Sequence, residues 1–255
     1  MHRDGRKRRL PPGDGPVMVQ METLIKCWIC GGEGKTREHI VKASDLKSHF
    51  GSLSQEKPLY LNLEGKRSIP VGSIKSNRLK SKALICNKCN SSLTQPYDKA
   101  WEKLSAYLRT NWVALDKAGK LNLSKVFPGA SGRSLLDVHL YFIKLFGCRI
   151  VEDNVPIDIT EFSRCLKEGI AHNNVYIAIG ITVKPGEVKQ KYAARTQIQS
   201  VNQGEKSVFA TWFYIIDKVG VNVIYSVVSG NEEVLRNTWH PSATNRIVRL
   251  AHFDT

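Results

Sequence analysis

Two Cys-x-x-Cys pairs, Cys27/Cys30 and Cys86/Cys89, stand on either side of an adjacent acid and imidazole, Glu38 and His39. The second pair runs directly into Asn90. Four thiolates suit a closed tetrahedral zinc site, which leaves no position for a substrate, so such an ion would be structural. Glu38, His39 and Asn90 offer different chemistry: a carboxylate and an amide oxygen for a hard cation, beside an imidazole that can be neutral near pH 7. A neutral His can take a proton from water. An Mg2+ or Mn2+ ion held by few protein oxygens keeps positions open for phosphate oxygens and water. Adjacent residues on a regular strand face opposite ways. Glu38 and His39 can therefore share a site only at a strand end or in a bent loop, and a local distortion is expected there.

The elements that must position these groups can be read from patterning. Gly31-Gly32 after the first pair suits a knuckle, where positive φ turns backbone amides toward sulfur. Thr36–Val41 reads as a short strand or loop, Leu59–Leu63 as a strand or hairpin, and Ala83-Leu84-Ile85 as the lead into the second knuckle. A helix is expected from about Cys89, with Pro96 interrupting it or opening the next one. Tyr97, Trp101, Leu104, Leu108 and Trp112 follow helical spacing and read as a core-facing stripe. Residues 113–132, with Gly119, Pro128-Gly129 and Ser131-Gly132, read as a linker. Beyond it, Leu135–Phe146 and Ile159–His172 read as helices. Val175–Val183, Val208–Ile216 and Val221–Val228 are β-branched or aromatic runs that read as strands, the last two joined as a hairpin.

The whole is an α+β chain: a flexible basic tail (1–16), a zinc-stabilised module (17–112), the linker, and an α+β C-terminal domain (133–255) that selects substrate or oligomerises. At 255 residues, 42% of them hydrophobic, the chain can bury a sizeable core. No apolar run reaches the roughly eighteen residues of a membrane span, and no apolar stretch follows the basic N-terminus to make a secretory signal. Cysteines in metal-type pairs point to a reducing, intracellular compartment, read as cytoplasmic. Cys148 and Cys165 read as core residues. The net charge of +15 is unevenly placed. Residues 35–125 hold eighteen Lys/Arg against seven Asp/Glu, whereas 126–255 hold fourteen against twelve. An excess of cations around the cysteines favours a polyanionic partner.

Cys27-x2-Cys30, Thr36-Arg37-Glu38-His39-Ile40-Val41 and Ala83-Leu84-Ile85-Cys86-x2-Cys89-Asn90 together resemble the zinc-containing branch of the HNH endonucleases, hydrolases of the ββα-metal type. The resemblance covers about residues 20–110. It implies a strand carrying the dyad, a second strand, and a helix packed across them. It also implies His39 as general base, with Glu38 and Asn90 holding a catalytic Mg2+ or Mn2+, acting on DNA or, alternatively, RNA. One such module makes one cut, so double-strand cleavage would require a homodimer or two nicks. Lys35, Arg37, Lys42, Lys82 and Lys88 flank the motif as candidates for holding backbone phosphates. The chain departs from the family in two ways. Glu stands where Asp is more usual. The family's central Asn, which orients the base a few residues before the second pair, is replaced by Lys80 and Ser81, with Asn77 further upstream. Either Asn77 takes that role through a longer loop, or a backbone carbonyl orients His39, or the site is degraded. The long spacing between the pairs makes residues 46–76 an insertion. The reading from another class is a catalytically silent zinc-containing module that binds nucleic acid.

Overall fold

The computed structural model describes residues 26–63, 66–129, 131–182, 193–228, 232–243 and 246–253; the tail expected over 1–16 lies outside them. In chain order the elements are β1 (Thr36–His39), α1 (Ala43–Phe50), β2 (Leu59–Leu63), β3 (Lys66–Val71), β4 (Lys80–Ile85), α2 (Gln95–Ala118), β5 (Lys120–Asn122), α3 (Leu123–Val126), α4 (Ser131–Asp153) and α5 (Ile159–Glu168). They continue with β6 (Val175–Ile181), β7 (Ala193–Arg195), β8 (Gln199–Gln203), β9 (Lys206–Ile216), β10 (Val219–Ser226), α6 (Glu232–Leu235), β11 (Ile247–Arg249) and β12 (Ala251–His252). The class is mixed α+β, with the four cysteines grouped near the N-terminal region.

β1 and β4 pair antiparallel and are followed by α2, with the β2–β3 hairpin inserted between them. The expected helix from Cys89 is divided. A π-helical turn over Lys88–Leu93 comes first, and α2 then starts at Gln95 with Pro96 in its first turn, where a missing N–H costs nothing. Tyr97, Trp101, Leu104 and Leu108 are buried as the stripe requires. Trp112 is the exception: half-buried, it lies under the Lys218 ammonium at 4.7 Å.

The described residues of 113–132, expected as a linker, are built into regular elements instead. α2 runs on to Ala118 and ends on Gly119 in the left-handed conformation (φ 61°). β5 then pairs with β11 from the far end of the chain. Nor do the two expected domains keep separate interiors. One hydrophobic cluster runs from Cys27 and Ile85 through Trp101, Phe142 and Phe146 to Trp212, Val223 and Leu250. At its centre Trp101 stacks on Tyr141 at 5.5 Å and meets Phe142 and Tyr214 edge-on.

The C-terminal sheet has the order β12-β6-β10-β9-β7, with β8 also on β9; only β12 joins it in parallel. The β9–β10 hairpin turns at Asp217, which takes a left-handed φ of 56°. α4 packs against α2, α5 and β4, so a helix from the C-terminal half lies behind the N-terminal hairpin. Among the described residues no helix is long and apolar enough to cross a membrane.

Candidate functional site

The two knuckles meet. The sulfurs of Cys27, Cys30, Cys86 and Cys89 all lie within 4.8 Å of one another, with Cys30 and Cys86 at 3.6 Å. A tetrahedral ion with metal–sulfur bonds of about 2.3 Å needs sulfurs about 3.8 Å apart, so this donor set fits zinc. Local backbone prepares it. Gly31 takes φ 75° and its amide donates to the Cys27 carbonyl, while the Cys89 amide donates to the Cys86 sulfur at 3.4 Å. That amide is the chief cause holding the Cys86 thiol down, to about 7. The C-terminal half clamps the first knuckle. Ser163 of α5 donates to the Ile29 carbonyl. The Trp28 ring sits so close to Gly147 of α4 that any Cβ there would collide with it.

The β1–β4 hairpin decides which way the dyad points. On β1 Glu38 is buried while Arg37 and His39 face outward; on β4 Ser81, Ala83 and Ile85 are buried while Lys80, Lys82 and Leu84 are not. The expected distortion is present: the register shifts between Arg37 and His39, so that Ser81, Lys82 and Ala83 oppose Glu38. Three residues against one shift the register by two, however, and an even shift preserves the alternation. Glu38 is buried while His39 reaches the outer surface, though the two stay in touch: the Glu38 carboxylate accepts from the His39 amide at 3.1 Å, and both line a small inner pocket with Ser81, Arg149 and Arg195.

Behind the hairpin, Glu38 Oε2 lies 2.8 Å from the ammonium of Lys144, which α4 delivers with no exposure at all. Lys144 also reaches Asp98 of α2 at 2.7 Å and donates to Thr94. Burial alone would raise the Glu38 pKa, but the charge and hydrogen bond of Lys144, with Lys42 further off, hold it below the usual carboxylate value.

In front lies an open cleft of about 630 Å3 lined by Lys35, Thr36, Arg37, His39, Asn77, Lys80, Leu84 and Asn90. His39 Nε2 lies 3.1 Å from the Ile74 carbonyl. A carbonyl only accepts, so Nε2 carries the proton and Nδ1 keeps its lone pair. Of the three alternatives for orienting His39, the geometry thus supplies a backbone carbonyl, with Asn77 on the cleft wall. Burial lowers the His39 pKa, and Lys80 and Lys42 lower it further, against the Ile74 carbonyl and Glu38. Asn90 donates to Thr36 Oγ1 at 3.1 Å, leaving its amide oxygen to offer.

The cation expected on Glu38 and Asn90 does not fit this arrangement. Glu38 is absent from the residues lining the cleft and its charge is already matched by Lys144. The cleft offers neutral oxygens among three cationic side chains, a poor donor set for Mg2+ or Mn2+. Burial on β1 and a lysine from a distant helix together keep the Glu38 carboxylate out of the cleft.

Of the expected phosphate contacts, Lys35 and Arg37 line the cleft, Lys35 sharing its charge with Glu33 at 2.7 Å. Lys42 is engaged by Asp98 and Glu102 at 3.3 and 3.5 Å. Lys82 and Lys88 are exposed but outside the cleft lining. Sequence reasoning missed Lys80 as a cleft cation, the Ile74 carbonyl and Lys144. Only Lys144 carried a signal: a lone charge in the apolar run Tyr141-Phe-Ile-Lys-Leu-Phe146 marks a buried partner. Compared with protein-family models, with curated proteins and with solved structures, the chain shows no match.

Proposed function

We propose that this chain is a nucleic-acid endonuclease of HNH-like build, whose four cysteines hold a structural zinc ion and whose His39 is the general base. The observation that carries the reading is the convergence of His39, Asn90 and the cations Lys35, Arg37 and Lys80 on one open cleft beside the cysteine cluster. Lysine and arginine neutralise phosphate oxygens, and an arginine fork grips them in pairs. His39, with its proton fixed on Nε2, presents Nδ1 to receive the proton of an attacking hydroxyl. As bond formation at phosphorus builds negative charge, the cleft cations stabilise it.

The test is cleavage by the purified chain of supercoiled and single-stranded DNA and of RNA, with and without added Mg2+ or Mn2+. The His39→Ala variant should lose about 100-fold or more of the cleavage rate while keeping its fold and its nucleic-acid affinity. A variant that cleaves as well as the parent overturns the reading.

The second reading, a zinc-containing binder without catalysis, is favoured by one observation: the acid of the dyad is consumed by Lys144. It predicts salt-dependent binding of nucleic acid and no cleavage of any substrate by the parent chain.

A further inference from the structure

We propose that the substrate of the His39 cleft is RNA, cleaved by its own 2′-hydroxyl with no divalent cation in the reaction. This rests on the nuclease reading above and names the substrate class that the cleft's donor set can serve. Hydrolysis of DNA requires an external water to be captured, aligned and deprotonated, and a carboxylate-bound cation ordinarily shares in all three tasks. Here the carboxylate nearest His39 in sequence faces the protein interior on Lys144, and no acidic residue lines the cleft among the described residues. What remains is one imidazole with a lone pair on Nδ1, two side-chain amides, the Thr36 hydroxyl already engaged by Ile85 and Asn90, and three cations, of which Lys35 shares its charge with Glu33.

That set is sufficient for an internal displacement. In RNA the nucleophile is already attached, adjacent to the phosphorus it attacks. Intramolecular reactions of this kind have effective molarities of about 10⁵–10⁸ M when well aligned, so the protein need not capture a water. The 2′-oxygen gives its proton to His39 Nδ1 and forms the new bond to phosphorus. The bond from phosphorus to the 5′-oxygen of the next nucleotide breaks, and that oxygen takes a proton from the Lys80 ammonium. The products are a 2′,3′-cyclic phosphate and a free 5′-hydroxyl. His39 returns its proton to solvent and Lys80 recovers one, so nothing is oxidised, reduced or consumed. Arg37 and Lys35 stand on the same cleft to balance the extra charge on the five-coordinate phosphorus. The Ile74 carbonyl holds the ring so that Nδ1, not Nε2, receives the proton.

The experiment uses the full chain in buffer freed of divalent cations by a chelating resin, which leaves tightly held zinc in place. The probes are a mixed-sequence RNA pool, a DNA pool of the same sequences, and for each site cut, an RNA with a single 2′-deoxy substitution at the attacking nucleotide. The expected result is cleavage of RNA alone, with cyclic-phosphate and 5′-hydroxyl ends, blocked by the 2′-deoxy substitution. Lys80→Ala should slow the reaction about 100-fold or more while folding is unchanged, and Lys80→Arg should not restore it, since a guanidinium does not release a proton. Cleavage of DNA, ends bearing 5′-phosphate, or a strict need for added Mg2+ would overturn this proposal and leave the nuclease reading standing. Absence of cleavage of either pool, with or without Mg2+, would end both and leave the binder.

Discussion

At the scale of single residues the informative pair is Glu38 and Lys144. A carboxylate beside a histidine invites a metal-ligand role, yet Glu38 is spent on an ammonium that has no exposure to solvent. Removing one member of a buried pair strands the other charge, which costs about 3–5 kcal/mol. Glu38→Ala and Lys144→Ala should each lower stability by about that amount, read as the denaturant midpoint at unchanged m-value. Asp98 still faces Lys144 in the first variant, so the loss there should be the smaller of the two. A Glu38 serving as a metal ligand would give the opposite pattern, with activity lost and the midpoint unmoved. The types and spacing of Cys27, Cys30, Cys86 and Cys89 were enough to forecast their grouping, because short knuckles leave few ways to place a sulfur pair. The direction of the Glu38 side chain was not legible, since its partner lies over a hundred positions along the chain.

Secondary-structure elements set what each face of the site can do. α4 backs the β1–β4 hairpin, and Gly147 on that helix lets the Trp28 ring of the first knuckle approach the helix backbone. In an exposed helix Gly→Ala gains about 1 kcal/mol. Here the added methyl meets the indole, and overpacking of this kind costs about 1–3 kcal/mol. Gly147→Ala is therefore expected to destabilise the protein, with a lower thermal midpoint and altered Trp28 fluorescence; a rise in the midpoint would contradict the contact. Long patterned elements were readable in advance: the stripe of α2, the body of α4, and the apolar runs of β6, β9 and β10. β8 was not. Every residue from Gln199 to Gln203 is exposed, so no alternation betrays it, and its pairing with β9 is what makes it a strand. β5 and β11 were hidden likewise, as three-residue strands that find each other across more than a hundred residues.

For the molecule as a whole, the cysteine cluster and the C-terminal half stabilise one another. Asp45 of α1 accepts from Trp101 and Ser105 of α2 and from Tyr214 of β9, and pairs with Arg109, tying the two halves through one buried carboxylate. Cys86→Ser, or stripping of metal by a strong chelator, should therefore weaken the whole chain, because ion-binding energy is folding energy. The expected observation is a single unfolding transition moved to lower temperature, seen equally by sheet and helix signals. Loss of the N-terminal half alone would refute the shared core. A second whole-molecule property is acid sensitivity. Burial first, then the neighbouring His240 and His172, holds the His139 pKa well below its usual value; burial chiefly pushes His172 down to about 4, and His240 is lowered too. In the unfolded chain these rings titrate near about 6.5. Below that pH the unfolded state binds more protons, so their contribution is full above it and is lost as pH falls toward the folded values. The thermal midpoint should fall between pH 7.5 and pH 5, and a flat profile would contradict the burial of this cluster.

The amino-acid order alone determined the mixed class, the principal helices and strands, the cysteine grouping and the basic surroundings of His39, since each follows from local spacing, periodicity or composition. Only the tertiary structure decided that the expected linker is built into the body and that Ile74 orients the imidazole. It also turned the acid of the dyad inward to a lysine. Those outcomes depend on which distant segments pack together, a balance of burial, pairing and chain entropy that no local window contains.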